Sequence, residues 1–341
     1  MNARPDCACS EAVGDQPEAL YWRAQLLAPD DSSTARALVA RANRLSPRLV
    51  FPFRPEMLPA LEFATRASPD WQPRYYLALA WWSLGRIAGA RPLLLGLGNQ
   101  PDYAPFYATR AAFPGQAAAA VRADLERAAA LDSSEWRYGR QLAEHWLTHG
   151  DTSAAITVAE RYHVRFPANY LIGLTLAKAW LAGGRYADAD QLLARLDVLP
   201  HEGAAEAHAM YREAKLQLAI VAARKRQGSA ATTLITAARL WPERLGEGRP
   251  YDRDVDERLE DWLAADVLAR SGQRTKARVL WERIAADTTS RRTASDVLPG
   301  WAARALTSSS ATPTPPIAAP ARGGADGRVL RAWFELNASL R

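Results

Sequence analysis

The stretch His201-Glu202-Gly203-Ala204-Ala205-Glu206-Ala207-His208 places two imidazoles and two carboxylates within one short segment. A helical zinc pair needs histidines at i and i+4, on one face, with the glutamate between them. Here the histidines are seven apart, and the chain has only five (145, 149, 163, 201 and 208), so a three-histidine site would need remote partners. The pairs Asp188/Asp190 and Asp254/Asp256 are two apart, a spacing that does not share a helix face, so no general acid–base couple can be argued from them. Gly246-Glu247-Gly248 lies between Leu245 and Arg249-Pro250 with no strand before it, and reads as a loop. No G-x-S-x-G or phosphate-binding loop is present. The only cysteines, Cys7 and Cys9, cannot close a four-ligand site by themselves. The expectation is therefore no metal, no cofactor and no catalytic set.

What remains is the chemistry of recognition. Arginine forks grip carboxylates in two-point fashion, and aromatic rings supply apolar contact beside them. Tyr75, Trp82, Arg137, Arg140, Glu144 and Lys178 are candidates for such a surface, with Leu171, Leu174, Trp262 and Asp266 at matching positions. Whether they can act together depends on the elements that carry them.

Those elements repeat. A glycine is followed five residues later by a small residue and, about twelve further on, by a proline: Gly150, Ala155 and Pro167 show the full pattern. Gly85/Ala90, Gly115/Ala120, Gly184/Ala189 and Gly272/Ala277 repeat its first step, while Ala35/Pro47 repeat the second. Gly228 fits poorly, because Pro242 comes early, and a shortened inter-helix turn is expected there. The physical reading is a glycine ending one helix in a left-handed turn, a small residue letting the next helix approach, and a proline ending that helix. Successive glycines are 30, 35, 34, 44 and 44 residues apart. The early units cluster on the tetratricopeptide period; the last two carry insertions of about ten residues holding HEGAAEAH and GEGRPYDRD.

Within the units the apolar and small positions follow helical spacing. Gly139, Leu142, Ala143 and Trp146 fall at i, i+3, i+4 and i+7, and Gly173, Leu176, Ala177 and Trp180 repeat them, with Trp81 in the corresponding place earlier. Such a stripe is a core face. The sequence thus predicts an all-α, right-handed solenoid of about seven antiparallel helix pairs over residues 19–303, in which the first helix of each pair lines the concave surface.

A polar lead, 1–18, is expected to be disordered, as is a Ser/Thr/Pro/Ala/Gly-rich linker, 304–328, which lacks apolar surface to offset chain entropy. Residues 329–341 read as a short amphipathic helix, either capping the solenoid or serving as a docking peptide, with capping preferred. The most apolar run, Tyr75 to Leu84, is about half a membrane span. With no secretory leader in the residues given, a cytoplasmic protein with no membrane partner is expected. The net charge of +6 and pI near 9.5 come from 43 basic residues, of which only Lys178, Lys215, Lys225 and Lys276 are lysines. Acids are interleaved with them and only Ala222–Gln227 is a basic run, so no nucleic-acid partner is expected.

The phrases LVFPFRPEMLPALE (49–62), WRYGRQLAEHWL (136–147), RFPANYLIGLTLAKAWL (165–181), HEGAAEAHAMYREA (201–214) and WPERLGEGRPYDRDVDERLEDWL (241–263) resemble the C-terminal region of a group of large bacterial proteins. In that group a galactose-mutarotase-like β-sandwich precedes a tetratricopeptide array. The resemblance spans residues 45–290 and adds Asn169, Tyr170, His208, Tyr211, Arg212, Tyr251 and Asp252 as candidate partner-binding residues; the three tyrosines have packing between repeats as an equal alternative. The resemblance lends mostly architecture, and the function expected of the solenoid is that of a scaffold that holds a protein or peptide in its concave groove. The alternative is the detached helical part of a carbohydrate-binding or carbohydrate-active system, touching a glycan or docking on a separate β-sandwich. Aromatics with flanking acids would favour sugar; an Arg/Lys groove would favour acidic peptide ends.

Overall fold

The computed structural model describes residues 16–200, 206–308 and 324–339. Cys7, Cys9 and His201, and most of the proposed lead and linker, lie outside them. Among the described residues every regular element is helical, with no strand. The helices are α1 (Pro17–Leu27), α2 (Ser32–Arg44), α3 (Leu58–Ala67), α4 (Trp71–Ser83), α5 (Ile87–Gly96), α6 (Ala104–Ala112), α7 (Ala118–Leu131), α8 (Trp136–Thr148) and α9 (Thr152–Arg165). They continue with α10 (Tyr170–Ala182), α11 (Tyr186–Leu193), α12 (Glu206–Arg224), α13 (Gly228–Ala238), α14 (Arg258–Arg270), α15 (Arg274–Ala286), α16 (Leu298–Thr307) and α17 (Gly324–Ser339). Neighbours in sequence pack as pairs, giving an all-α helical-repeat architecture within each of two compact units, residues 1–138 and 139–341.

The pairing rests on one turn used five times. In α4–α5, α8–α9, α10–α11, α12–α13 and α14–α15 three residues join the helices. In each, a backbone N–H reaches back to close the Schellman bond: Arg86 to Trp81, Asp151 to Trp146, Arg185 to Trp180, Gln227 to Ala222 and Gln273 to Leu268. That geometry requires a left-handed residue, and Gly85, Gly150, Gly184 and Gly272 supply it with φ of 74–82°. In the α12–α13 turn the position belongs to Arg226, at φ 59°, and Gly228 is the first residue of α13. The expected short turn is therefore absent. Taking Arg226 as the turn residue, the small residue five later is Ala231, fully buried, and Pro242 falls one place early. The glycine pattern had been read two residues out of register there.

The small residues behave as the turn geometry demands. Ala35, Ala90, Ala155, Ala189, Ala231 and Ala277 are all at 0% exposure. Ala120 differs: α6 and α7 are joined by five residues, α7 starts one place later relative to Gly115, and Ala120 is exposed while Asp124 and Leu125 turn inward. The burial of Asp124 is balanced by Arg110, which grips it through Nε and Nη2 at 2.8 and 2.6 Å.

The first unit is held by a continuous core from Leu20 and Tyr21 through Leu61, Tyr76, Phe106 and Tyr107. Inside it, Tyr21 donates to Asn43 at 2.6 Å, and the Asn43 amide donates to Asp70 and Ser68, tying α1, α2 and the start of α4. In the second unit, Gly139 and Gly173 are buried in α8 and α10; a Cβ would meet the Tyr162 ring at 2.3 Å and Leu196 at 2.6 Å. The expected stripe of Leu142, Ala143, Leu176 and Ala177 is buried, with Trp146 and Trp180 partly so. Towards the C-terminus the core is built on Trp262, Trp281, Trp301 and Trp333.

The C-terminal boundaries move. Helix α16 continues through Thr307, and α17 begins at Gly324, five residues before the expected start. The extra turn is recruited by charge: Asp326 is bound by Arg212 and accepts from Ser295 Oγ at 2.5 Å. Likewise α1 begins at Pro17, inside the segment expected to be disordered.

Candidate functional site

The two long repeats interlock before they form a site. Val198 N donates to Arg244 O at 2.8 Å, and Arg244 pairs with Asp197, so the segment after α11 is tied to the loop after α13. Gly246 closes that loop at φ 73°, where a Cβ would lie 2.8 Å from Val198 O. Glu247 then accepts from the backbone N–H of His208 at 3.1 Å, holding the loop to α12.

Against this frame His208 stacks on Trp241, ring centroids 3.4 Å apart and planes 9° from parallel. Its Nε2–H donates to Leu240 O at 3.1 Å, since a carbonyl can only accept. Burial holds the imidazole pKa down to about 4, aided by the Arg212 charge and opposed by the bond to Leu240. His208 is thus a neutral, oriented ring at neutral pH.

Beside it opens a cavity of about 410 Å³ walled by α12, the end of α13, the 250–257 loop, residues 292–294 and the first turn of α17. Its charges are mostly matched within the walls. Arg212 forks onto Glu260 through Nε and Nη2 and reaches Asp326 through Nη1. Burial lowers the Arg212 pKa, but Glu260 and Asp326 outweigh it and raise it further above the usual range. Arg239 binds Glu257 and Asp261, and Arg258 binds Asp256 and Asp296. Among the described residues Arg292 has no ion pair, and the buried Thr293 Oγ1 has no hydrogen-bond partner. The arrangement offers fixed donors and acceptors around an aromatic wall.

Of the other sequence-derived residues, Tyr211 is buried and donates to Ala237 O at 3.0 Å, linking α12 to α13. Tyr251 is 77% exposed, and Asp252 pairs with Arg249 in the same loop. Asn169 caps α10, accepting from Leu171 and Ile172, and Tyr170, the first residue of α10, is half-buried, like Leu171. Tyr75 is buried, bonded to Thr109 Oγ1 and edge-on to Phe106 at 5.5 Å. Trp82 is half-buried against Phe113. Arg137 is exposed and paired with Glu135, Arg140 pairs with Glu144, and Lys178 with Glu206. Leu174, Trp262 and Asp266, expected on an open concave face, are buried. Trp262 and Asp266 are covered by α17: the Trp333 ring lies 5.4 Å from Trp262, and its Nε1 donates to Asp266 at 3.2 Å.

A second surface was not singled out from sequence. Along residues 49–53 burial alternates strictly: Val50 and Pro52 point in, while Leu49, Phe51 and Phe53 are 86, 64 and 61% exposed. Phe51 and Phe53, two apart, are the outward-facing pair of this segment, and Leu49 is exposed in the turn just before them. Trp22, 46% exposed, bonds through Nε1 to Glu56 O at 3.3 Å, three residues beyond Phe53, and the exposed Leu26 lies one turn along α1. Leu49 holds φ 63°, uncommon for a residue with a side chain. Among the described residues Arg23, Arg48 and Arg54 have no ion pair, although Arg54 lies over the Phe53 ring at 5.6 Å. The signal in the sequence was the phrase LVFPFR itself, which sets large apolar residues at alternate positions ahead of α3.

In comparisons with protein-family models and with curated proteins, the chain has no match. No helix among the described residues is long and apolar enough to cross a membrane.

Proposed function

We propose that this chain is a protein-interaction module of the tetratricopeptide type that holds a partner protein, without chemistry of its own. The observation that carries this reading is the exposure of Leu49, Phe51 and Phe53 in one short segment, with Trp22 and Leu26 also exposed on α1. Contiguous apolar side chains in water are costly to leave uncovered and mark interaction sites. Arg23, Arg48 and Arg54, which form no ion pair among the described residues, favour a partner whose matching surface is apolar with an acidic fringe. The polar groups Arg140, Glu144 and Lys178 of the second unit are the remaining candidates for a peptide-binding groove.

A second reading keeps one specific support. Trp241 with Asp254, Asp256 and Glu257 gives the 410 Å³ cavity the aromatic wall and flanking acids that suit a glycan. In that case the chain is the helical part of a carbohydrate-related system docked on a separate β-sandwich.

Affinity capture with wild type, a Phe51→Ser/Phe53→Ser variant and an Arg140→Ala/Lys178→Ala variant separates the surfaces. Loss of the partner in the aromatic variant alone supports the proposal, and equal recovery by both variants sinks both surfaces. A neighbouring reading frame encoding a β-sandwich, together with calorimetric binding of an oligosaccharide, would favour the second reading.

A further inference from the structure

We propose that the face formed by α12, α14 and the 294–297 turn is a receptor for an amphipathic helix, that α17 is its occupant supplied in cis, and that a partner helix of the same pattern can replace it. This surface is separate from the aromatic face of the first unit, so neither idea depends on the other.

The seat is chemically unlike a finished outer face. It carries Glu213, Glu260 and Asp266, each at 1–2% exposure. A buried carboxylate needs a counter-group, and α17 brings one for Glu213: Arg328 donates through Nε and Nη2 at 2.6 and 2.5 Å. Trp333 Nε1 satisfies one oxygen of Asp266, alongside Arg270 at 2.8 Å. Asp326 in turn answers Arg212 and Ser295 at one end, and Asn337 accepts from Arg270 at the other. The apolar stripe between these ends is Val329, Leu330, Trp333 and Leu336, all at 0–1% exposure.

The fit is that of a recognition site. Trp333 completes a triangle of rings with Trp262 and Trp301, centroids 5.4 and 6.2 Å away. Around Trp333 and Leu336 the void against Ile220, Leu263 and Asp266 is about 10 Å³, room for at most one water, whereas the first turn of α17 borders the larger cavity. The polar and apolar positions, 326, 329/330, 333 and 336/337, recur at helical spacing, so the seat reads one face of a helix, as helix-in-groove receptors do. Five of the helix pairs are joined by three-residue turns, whereas residues 308–323 separate α17 from α16. Its docking is therefore an intramolecular association governed by effective concentration, and a competing helix need only exceed that.

The test uses the full chain. A fluorescein-labelled peptide of residues 324–339 is titrated into wild type, Trp333→Ala and Arg328→Glu, with circular dichroism confirming that each remains helical and melts cooperatively. At least tenfold tighter binding to either opened variant than to wild type, abolished when the peptide itself carries Trp333→Ala, is expected. If a folded variant binds the peptide no better than wild type does, the receptor reading is wrong. Should Trp333→Ala fail to fold, Arg328→Glu decides alone: it sets two carboxylates against each other at Glu213 and so opens α17, yet it lies at a 43% exposed position and truncates no core side chain. Hydrogen exchange gives a second measure: α17 amides in wild type should exchange well before those of α12, and equal protection overturns the proposal.

Discussion

Arg328 donates two hydrogen bonds, at 2.6 and 2.5 Å, to the carboxylate of Glu213, 115 positions earlier in the chain. The Glu213 side chain is 1% exposed and that of Arg328 43%. The pair therefore has a dry end and a wet end, and the energetic consequences of cutting it are asymmetric. Removing Arg328 strands a buried charge, whereas removing Glu213 releases Arg328 to solvent.

Arg328→Ala should accordingly destabilise the second unit by about 2–3 kcal/mol, somewhat below the cost of breaking a fully buried pair because Arg328 is partly solvated. Arg328→Ala in a Glu213→Ala background should cost much less. Urea denaturation of the four chains gives the coupling energy directly. A coupling near zero would mean that the bond contributes nothing to seating α17.

Arg226 sits at φ 59° where four sister turns use glycine. A side chain in that region costs roughly 1 kcal/mol, and Arg226 is exposed, with little packing to lose. Arg226→Gly should raise stability by about 0.5–1 kcal/mol, read as a rise in melting temperature. A fall would show that the Arg226 side chain supports the turn in some other way.

His208 gives a pH dependence of definite sign. Its folded pKa of about 4 lies below the ordinary value of 6.5, so the unfolded chain binds the proton more readily. The stability tied to the neutral ring is complete above pH 6.5 and is lost progressively as pH falls towards 4. The full effect is on the order of 3 kcal/mol. Thermal melts from pH 7 to 4.5 should show a steeper decline in wild type than in His208→Gln. Parallel declines would place the sensitivity elsewhere.

Gly139→Ala should destabilise by about 1–3 kcal/mol, because the new Cβ would fall 2.3 Å from Tyr162 ring atoms and α8 would have to move. Gly139→Ala combined with Tyr162→Leu should recover part of that loss. If the single substitution leaves the denaturant midpoint unchanged, the close helix approach is not a constraint.

The sequence carried the architecture because its signals are local. A left-handed glycine, a small residue five later and a 3.6-residue apolar period each follow from backbone sterics within one helix pair, and Gly150/Ala155 or Gly184/Ala189 report them faithfully. Arg226 was hidden for the same reason: an arginine in a left-handed turn breaks the local rule, and a glycine two residues on was more conspicuous. The site was less legible because its parts are distant in sequence. The stack of His208 on Trp241 and the fork of Arg212 onto Glu260 join residues 33 and 48 apart. Trp262 and Asp266 were placed on an open face by periodicity that cannot foresee α17 folding back. The aromatic face around Phe51 lies in an irregular segment, where no helical period exists to separate inside from outside.

The bond from Val198 to Arg244, with Gly246 pressed against Val198 O, bears on how this array could be cut and rejoined. In most repeat proteins a unit touches only its neighbours and is a natural building block. Between α4 and α11 a designer could graft at each three-residue turn. Beyond α11 the loops are stitched across repeats and α17 closes the far side, so α12 through α17 would have to be exchanged as one indivisible cassette.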